Sequence, residues 1–321
     1  MRRVLITGGT GFVGANLVRR LLAEGCEVHL LVRRGFQTWR IASVQDRVQL
    51  HVVDMNVASA VLELLSSLRP AWVFHLAAHG AYSFQTDVQE MVRTNLIATM
   101  NLVQAFLQSG GEALVHAGSS SEYGFKEHPP TESEQIEPNS DYAVTKAAAT
   151  LYCGCAARKS HARIITLRLY SAFGPFEDPR RFLPALVVKG LAGKLPPLVS
   201  PDVCRDFVYV EDVCDAFIRA ASVGNPPWGA VYNLGSGVQT SIGQMVALAR
   251  QELNIPEEPR WQSMPDRSWD TSTWVGDPTR IARDLEWKPR HALADGFRTM
   301  VSWFQNDPAM LEFYRTQQRG G

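Results

Sequence analysis

Thr7-Gly8-Gly9-Thr10-Gly11-Phe12-Val13-Gly14 follows directly on the aliphatic run Val4-Leu5-Ile6 and leads into Asn16-Leu17-Val18-Arg19-Arg20-Leu21-Leu22. The first run has the character of a buried strand, and the last carries its leucines and valine on one helical face. Between a strand and a helix, glycines at positions 8, 11 and 14 have a defined use. They permit a turn too tight for a Cβ, and they let the N–H groups that open the helix close on an anion. The stretch therefore reads as a dinucleotide site, with the pyrophosphate held by Gly8, Gly11, Phe12, Val13 and Gly14.

Downstream the alternation of short aliphatic runs with amphipathic stretches continues, which is the pattern of βαβ units. Strands are expected at Val4–Thr7, Val28–Val32, Val48–Val53, Trp72–Leu76, Leu114–Ala117 and Ile164–Arg168, with helices starting near Gly11, Val57, Asp87 and Asp141. The fold class is α/β, a Rossmann-type doubly wound parallel sheet. Beyond Leu169 the alternation fails and tryptophans are scattered at 261, 269, 274 and 287, so a smaller C-terminal lobe is expected. Residues 1–168 then form the dinucleotide-binding domain, to whose sheet Phe207–Val210 and Val231–Leu234 return (about 206–235). Residues 169–205 and 236–321 form the substrate-binding lobe.

The 321 residues are 45% apolar, enough to bury a substantial core, and 32 basic side chains balance 32 acidic ones. A neutral chain has no global field to attract nucleic acid or an anionic membrane. No apolar run approaches the roughly 20 residues of a membrane span, and the chain enters a strand at once, so a cytoplasmic protein is expected. Five cysteines without metal-ligand spacing fit reduced thiols and no metal site. Cys153 and Cys155 lie two apart in an expected helix, where they point to different faces and make no redox pair.

At the end of the second strand, where an NAD site commonly offers a carboxylate to the ribose 2′-hydroxyl, the chain carries Arg33 and Arg34. Guanidinium forks suit a 2′-phosphate, which favours NADP and leaves NAD as the alternative. Asp54, closing the third strand, is placed either to accept from the adenine amino group or to start the next helix.

Tyr142 and Lys146 stand four apart in an expected helix and so project from one face, one turn apart. A phenol titrates near pH 10, and a neighbouring ammonium favours its ionised form, which makes the pair a proton-transfer unit. Just after the fifth strand comes Gly118-Ser119-Ser120-Ser121-Glu122-Tyr123-Gly124, at the carboxyl edge where ligands gather in such sheets. A serine there can hydrogen-bond the reacting oxygen. A dinucleotide sensor without chemistry has no need of these groups.

The glycine turn, Phe74-His75-Leu76-Ala77-Ala78, Asn95, the serine segment and the Tyr142/Lys146 pair together resemble the extended short-chain dehydrogenase/reductases, the NAD-dependent epimerase/dehydratase family. The likeness continues through Leu167-Arg168, Phe173-Gly174-Pro175, Arg205-Asp206-Phe207-Val208-Tyr209-Val210 with Asp212, Asn233-Leu234-Gly235-Ser236-Gly237, Asp277-Pro278 and Trp287-Lys288-Pro289, covering nearly the whole chain. It implies an enzyme acting on a nucleoside-diphosphate sugar, with Ser119, Tyr142 and Lys146 catalytic and Lys146 also bonding the nicotinamide ribose. Met55, Leu76, Ala77, Ala78 and Asn95 join the cofactor set by the same likeness. Arg205 and Arg267 are implied to grip the diphosphate, and Ser120, Ser121, Ser171 and Arg181 to meet the substrate. A homodimer through the helices beginning near Asp87 and Asp141 is implied as well.

Members that dehydrate their substrate place an acidic residue shortly after the catalytic hydroxyl. Counted back from Tyr123-Gly124, those positions hold Ser120 and Ser121, and Glu122 is one residue out of register, which on an extended segment turns it to the other side. Gly118–Gly124 is similar to reductases of GDP-4-keto-6-deoxymannose, and Val32-Arg33-Arg34 through Arg40-Ile41 to GDP-mannose dehydratases. The reading is an NADPH-dependent reductase of a 4-keto-6-deoxyhexose, with a C4 epimerase retaining NAD as the alternative. Ser171 stands where many members have an asparagine that helps hold the phosphates.

Overall fold

The computed structural model describes residues 1–264 and 270–319. The chain runs β1 (Arg3–Thr7), α1 (Phe12–Ala23), β2 (Glu27–Val32), β3 (Gln49–Val52), α2 (Ala58–Leu68), β4 (Trp72–His75), then α3 (Val88–Met91), which passes through a π-helical turn at Val92–Ile97 into α4 (Ala98–Ser109). There follow β5 (Ala113–Ser119), a short 3₁₀ turn (Ser120–Tyr123), α5 (Asp141–Ser160), β6 (Ile164–Leu169), β7 (Ser171–Phe173), α6 (Phe182–Gly190), β8 (Cys204–Tyr209) and α7 (Val210–Ser222). The last elements are β9 (Val231–Leu234), β10 (Gln239–Ser241), α8 (Ile242–Leu253), α9 (Thr279–Leu285), α10 (Leu293–Asn306) and α11 (Pro308–Arg319).

Seven strands form one parallel sheet in the order β3-β2-β1-β4-β5-β6-β9. Strand alternation sorts its side chains to two faces. Val4, Ile6, Trp72, Phe74 and Val115 face a layer with Leu17 and Val18 of α1 and Phe217 of α7. Leu5, Val73 and Leu114 face Leu65 of α2, Phe106 of α4 and Ala157 of α5. The strand order reverses between β1 and β4, and at the carboxyl ends of those strands a crevice opens that an open α/β sheet uses for its ligand.

The second core lies in the C-terminal lobe, where Leu186 of α6, Phe207 of β8, Met245 of α8 and Met300 and Phe304 of α10 pack together. Here the structure corrects one expectation. Val231–Leu234 does return to the large sheet as β9, but the Phe207–Val210 stretch does not. Its strand β8 pairs parallel with β7 and antiparallel with β10 in a separate three-stranded sheet. An apolar run reveals a buried strand without revealing its partner, and what returns to the large sheet from this region is helix α7. Among the described residues no helix is long and apolar enough to cross a membrane.

Candidate active site

The glycine turn has the shape a dinucleotide needs. Gly8 takes φ +69°, and a Cβ there would lie 2.6 Å from the Ala77 nitrogen. A Cβ on Gly14 would fall 2.1 Å from the Gly8 carbonyl oxygen, so helix and turn are in direct backbone contact. A Cβ on Gly11 meets only the Gly8 oxygen, at 3.2 Å, and so points to open space beside the turn. As N-cap of α1, Gly11 supplies no side-chain acceptor, which leaves the first-turn N–H groups of Phe12, Val13 and Gly14 directed outward for an anion. These residues fit a pyrophosphate.

Arg33 and Arg34 lie exposed just past β2, and neither has a side-chain partner among the described residues. Asp54 accepts from the Asn56 amide at 2.9 Å and from its side chain at 3.1 Å in a turn that precedes α2, whose N-cap, Val57, has no side-chain cap bond, so Asp54 does not cap that helix. Asn95, in the π turn, is occupied elsewhere. Its side chain takes the His79 amide at 2.8 Å and donates to the His79 carbonyl and, at 2.9 Å, to Thr145 of α5. It therefore reaches the site through His79 and α5.

Strand β5 delivers Ser119 to the carboxyl edge, and α5, capped by Ser140 on the Ala143 amide at 3.2 Å, delivers Tyr142 and Lys146 beside it. The Tyr142 phenol stands near Ser119, which favours its ionised form. Burial holds the phenol above its ordinary range; Ser119 and the Arg181 charge act against that, and the Glu122 charge adds to it. Lys146 is almost wholly buried, which brings its ammonium down to about 8. Tyr142 and Lys146 lie one turn apart on α5, and burial dominates the phenol.

Glu122 does turn away from the substrate side, for a reason other than the one expected. Ser119–Glu122 is a capping box on a 3₁₀ turn rather than an extended segment. The carboxylate accepts the Ser119 amide at 2.8 Å, the Thr150 hydroxyl at 3.0 Å and the Arg168 guanidinium at 2.9 Å, wholly buried. Ser120 and Ser121 form the body of that turn, with the Ser121 amide donating to the Ser119 oxygen at 3.2 Å.

Two buried histidines support the site: His75, which the sequence reading carries only within the Phe74–Ala78 motif, and His116, which it does not single out. The Ala77 amide donates to Thr7 Oγ1, which stands 2.6 Å from His75 Nδ1, while His75 Nε2 stands 2.8 Å from Thr99 Oγ1, itself a donor to the Asn95 carbonyl. Those directions place the ring proton on Nε2. Burial pushes His75 down to about 3, so it is a neutral brace between the glycine turn and the π turn. His116, next to it across the sheet, sits 3.3 Å from Lys146 Nζ. The sequence signal available was a histidine in each of two otherwise apolar strands.

Arg181, at the start of α6, donates to the Ala81 carbonyl at 3.0 Å and lies over the Tyr82 ring, and Arg180 lies over Phe84. The loop after β4 and the turn before α6 thus clasp each other beside Tyr142. Glu177 in that turn is buried and raised by burial to about 8; its Oε2 has no partner among the described residues. Phe176 takes φ +68°, uncommon for a side chain with a Cβ, and is held there by Arg19 over its ring at 3.9 Å and by Arg40 Nε on its carbonyl at 2.8 Å. Trp39, beside Arg40, packs tilted against Phe313 and edge-on against Tyr314 of α11. Ser171 opens β7, and Arg205 of β8 is ion-paired with Asp270 at 2.7 Å. The neighbouring Asp206, buried, gathers Ser236, Gly237 and Gly276 around it. Arg267 lies outside the described residues.

Residues 4–235 match the sequence profile of the NAD dependent epimerase/dehydratase family. The chain is 31% identical to the UDP-glucose 4-epimerase of Mycolicibacterium smegmatis over 95% of its own length and 99% of that protein. It is 26% identical to the dTDP-glucose 4,6-dehydratase of Mycobacterium tuberculosis, over 95% and 94% of the two chains. Among solved structures, MoeE5 in complex with UDP-glucose and NAD superposes with a TM-score of 0.82 at 29% identity, covering 95% of this chain and 99% of that one.

Proposed function

Since the chain belongs to the NAD dependent epimerase/dehydratase family, the extended short-chain dehydrogenase/reductases, we propose that it interconverts the C4 epimers of a nucleoside-diphosphate hexose with a dinucleotide it retains. One observation carries this choice within the family. Ser119, Tyr142 and Lys146 converge, while the residues where an elimination needs an acid or base are Ser120 and Ser121, and the nearby carboxylate of Glu122 is closed off in its pair with Arg168. The site can move a proton at one hydroxyl, while the two positions after Ser119 offer no acid or base for removing water.

Tyr142 takes the proton of the C4 hydroxyl and later returns it, with Ser119 holding the same oxygen. A bound nicotinamide supplies the hydride acceptor and donor and, when oxidised, a positive charge near the phenol. Lys146 supplies a second positive charge on the same helix face and a hydrogen-bond donor for the nicotinamide ribose. The clasp between Arg181 and Tyr82 borders the sugar, and the lobe built on α6, α8 and α10 carries the nucleotide.

A second reading is favoured by Arg33 and Arg34. Two unpartnered guanidinium groups at the end of β2 suit a 2′-phosphate, and an NADPH-dependent reductase of a 4-keto-6-deoxyhexose would use it. Mass spectrometry of the dinucleotide held by the purified protein, followed by incubation with UDP-, dTDP- and GDP-hexoses and their 4-keto-6-deoxy forms, separates the two. Retained NAD with equilibrating C4 epimers supports the epimerase. Consumption of NADPH by a 4-keto sugar supports the reductase, and release of a 4-keto-6-deoxy product from a hexose overturns both.

We propose a homodimer as well. Val88 and Ile97 on the helix through the π turn and Val144 and Leu151 on α5 are apolar and exposed, and a partner copy would cover them. Light scattering on the protein and on Leu151→Glu tests this, with a mass change from dimer to monomer expected and a monomeric unaltered protein overturning it.

A further inference from the structure

Lys146 reaches the site from an interior that is nearly dry, and its ammonium has three N–H donors and no acceptor. One of those donors points at His116 Nε2, 3.3 Å away. Because an ammonium can only donate, Nε2 must carry the lone pair, so the ring proton sits on Nδ1, which faces Thr166 Oγ1 at 3.3 Å. His75, His116 and Thr166 stand side by side across β4, β5 and β6 in the register of the sheet. The two rings lie 5.5 Å apart and carry opposite tautomers, that of His75 set by Thr7 and Thr99 and that of His116 by Lys146.

We propose that His116 is a positioning residue for Lys146: its neutral imidazole takes one ammonium hydrogen and so aims the other two donors at the nicotinamide ribose and the reacting phenol. This rests on the dinucleotide role of Lys146 given above. A hydrogen bond to the charged form also favours that form. The groups that face the ammonium are His116 of β5, Glu122 of the 3₁₀ turn and Cys153 of its own helix, with His75 of β4 behind the imidazole. Burial lowers Lys146, Glu122 raises it, and burial together with the Lys146 charge keeps His116 far below its ordinary value and therefore neutral.

The test reads binding rather than turnover. Titration calorimetry of NADH and of ADP, which lacks the nicotinamide ribose, is run on the protein, on His116→Leu and on His116→Gln across pH 6 to about 9, a range that spans the lysine. His116→Leu is expected to weaken NADH about tenfold with ADP unchanged, and to move the alkaline loss of NADH affinity to lower pH, because the lysine then neutralises sooner. His116→Gln, whose side-chain oxygen can occupy the Nε2 position, is expected to recover most of the affinity. Unchanged NADH binding in His116→Leu, an equal loss for ADP, or a His116→Gln protein as weak as His116→Leu overturns the proposal. An inability to epimerise any sugar would count against the reaction proposed above and leave this result standing.

Discussion

Glu122 and Arg168 meet at 2.9 Å with side chains 0% and 5% exposed, directly beneath Ser119. The same carboxylate holds the Ser119 amide and the Thr150 hydroxyl, so one buried charge ties β5, α5 and β6 together under the site. Arg168 also lies over the Tyr123 ring at 4.4 Å, and the Tyr123 hydroxyl donates to Asn233 at 2.7 Å.

Removing one member of that pair leaves a buried charge without a partner. Glu122→Ala is expected to cost about 3–5 kcal/mol in urea unfolding, and Glu122→Leu combined with Arg168→Met to restore most of it. Turnover should stay low in the double variant, because the Ser119 amide has still lost its acceptor. A double variant with full turnover would show that Glu122 matters for stability alone.

Tyr142→Phe removes the proton-transfer group and little else. Turnover should fall at least about a hundredfold while dinucleotide affinity, measured by calorimetry, stays within experimental scatter. Turnover equal to that of the unaltered protein would take Tyr142 out of the mechanism.

If Arg33 and Arg34 meet a 2′-phosphate as proposed, Arg33→Ala with Arg34→Ala should weaken NADP far more than NAD, since the two dinucleotides differ only in that group. Titration of both ligands checks it, and an equal loss for the two would indicate a disturbed fold instead of a lost anion contact.

Glu177 links stability to pH. Burial raises its carboxyl from the ordinary 4.5 to about 8, so the folded protein binds a proton that the unfolded chain has already released. For a raised pKa, the contribution is fully present below the unfolded value and is lost as pH rises from there through the folded value. Glu177→Gln keeps the neutral form at every pH. Thermal melts should therefore show the unaltered protein losing stability between about pH 5 and 8 and the variant losing less, with its advantage largest at the alkaline end. Parallel curves would remove Glu177 as the source.

Much of this was legible in the sequence because strands and glycine turns announce themselves locally. The six expected strands of the first half lie within two residues of their observed ends, and the glycine turn opens α1 as expected. Pairing is a long-range property, and for that reason the Phe207–Val210 run gave no sign that it belongs to the small sheet. The turn at Ser119–Glu122 was readable: a serine followed three residues later by a glutamate is a capping-box signature, yet the preceding strand made the segment look extended. The histidines were hidden by their surroundings. Within an aliphatic run, a single polar residue says nothing about the threonines and lysine that four other elements bring to the two rings.

The connection after β2 touches both halves of the molecule. Arg33 and Arg34 stand at its start, while Trp39 rests on α11 and Arg40 holds the carbonyl of Phe176. This connection is therefore not an interchangeable cassette in the chain. A loop grafted between β2 and β3 would unseat the last helix and the bend at Phe176 unless it kept Trp39 and Arg40, so substitutions in this connection have to spare those two residues.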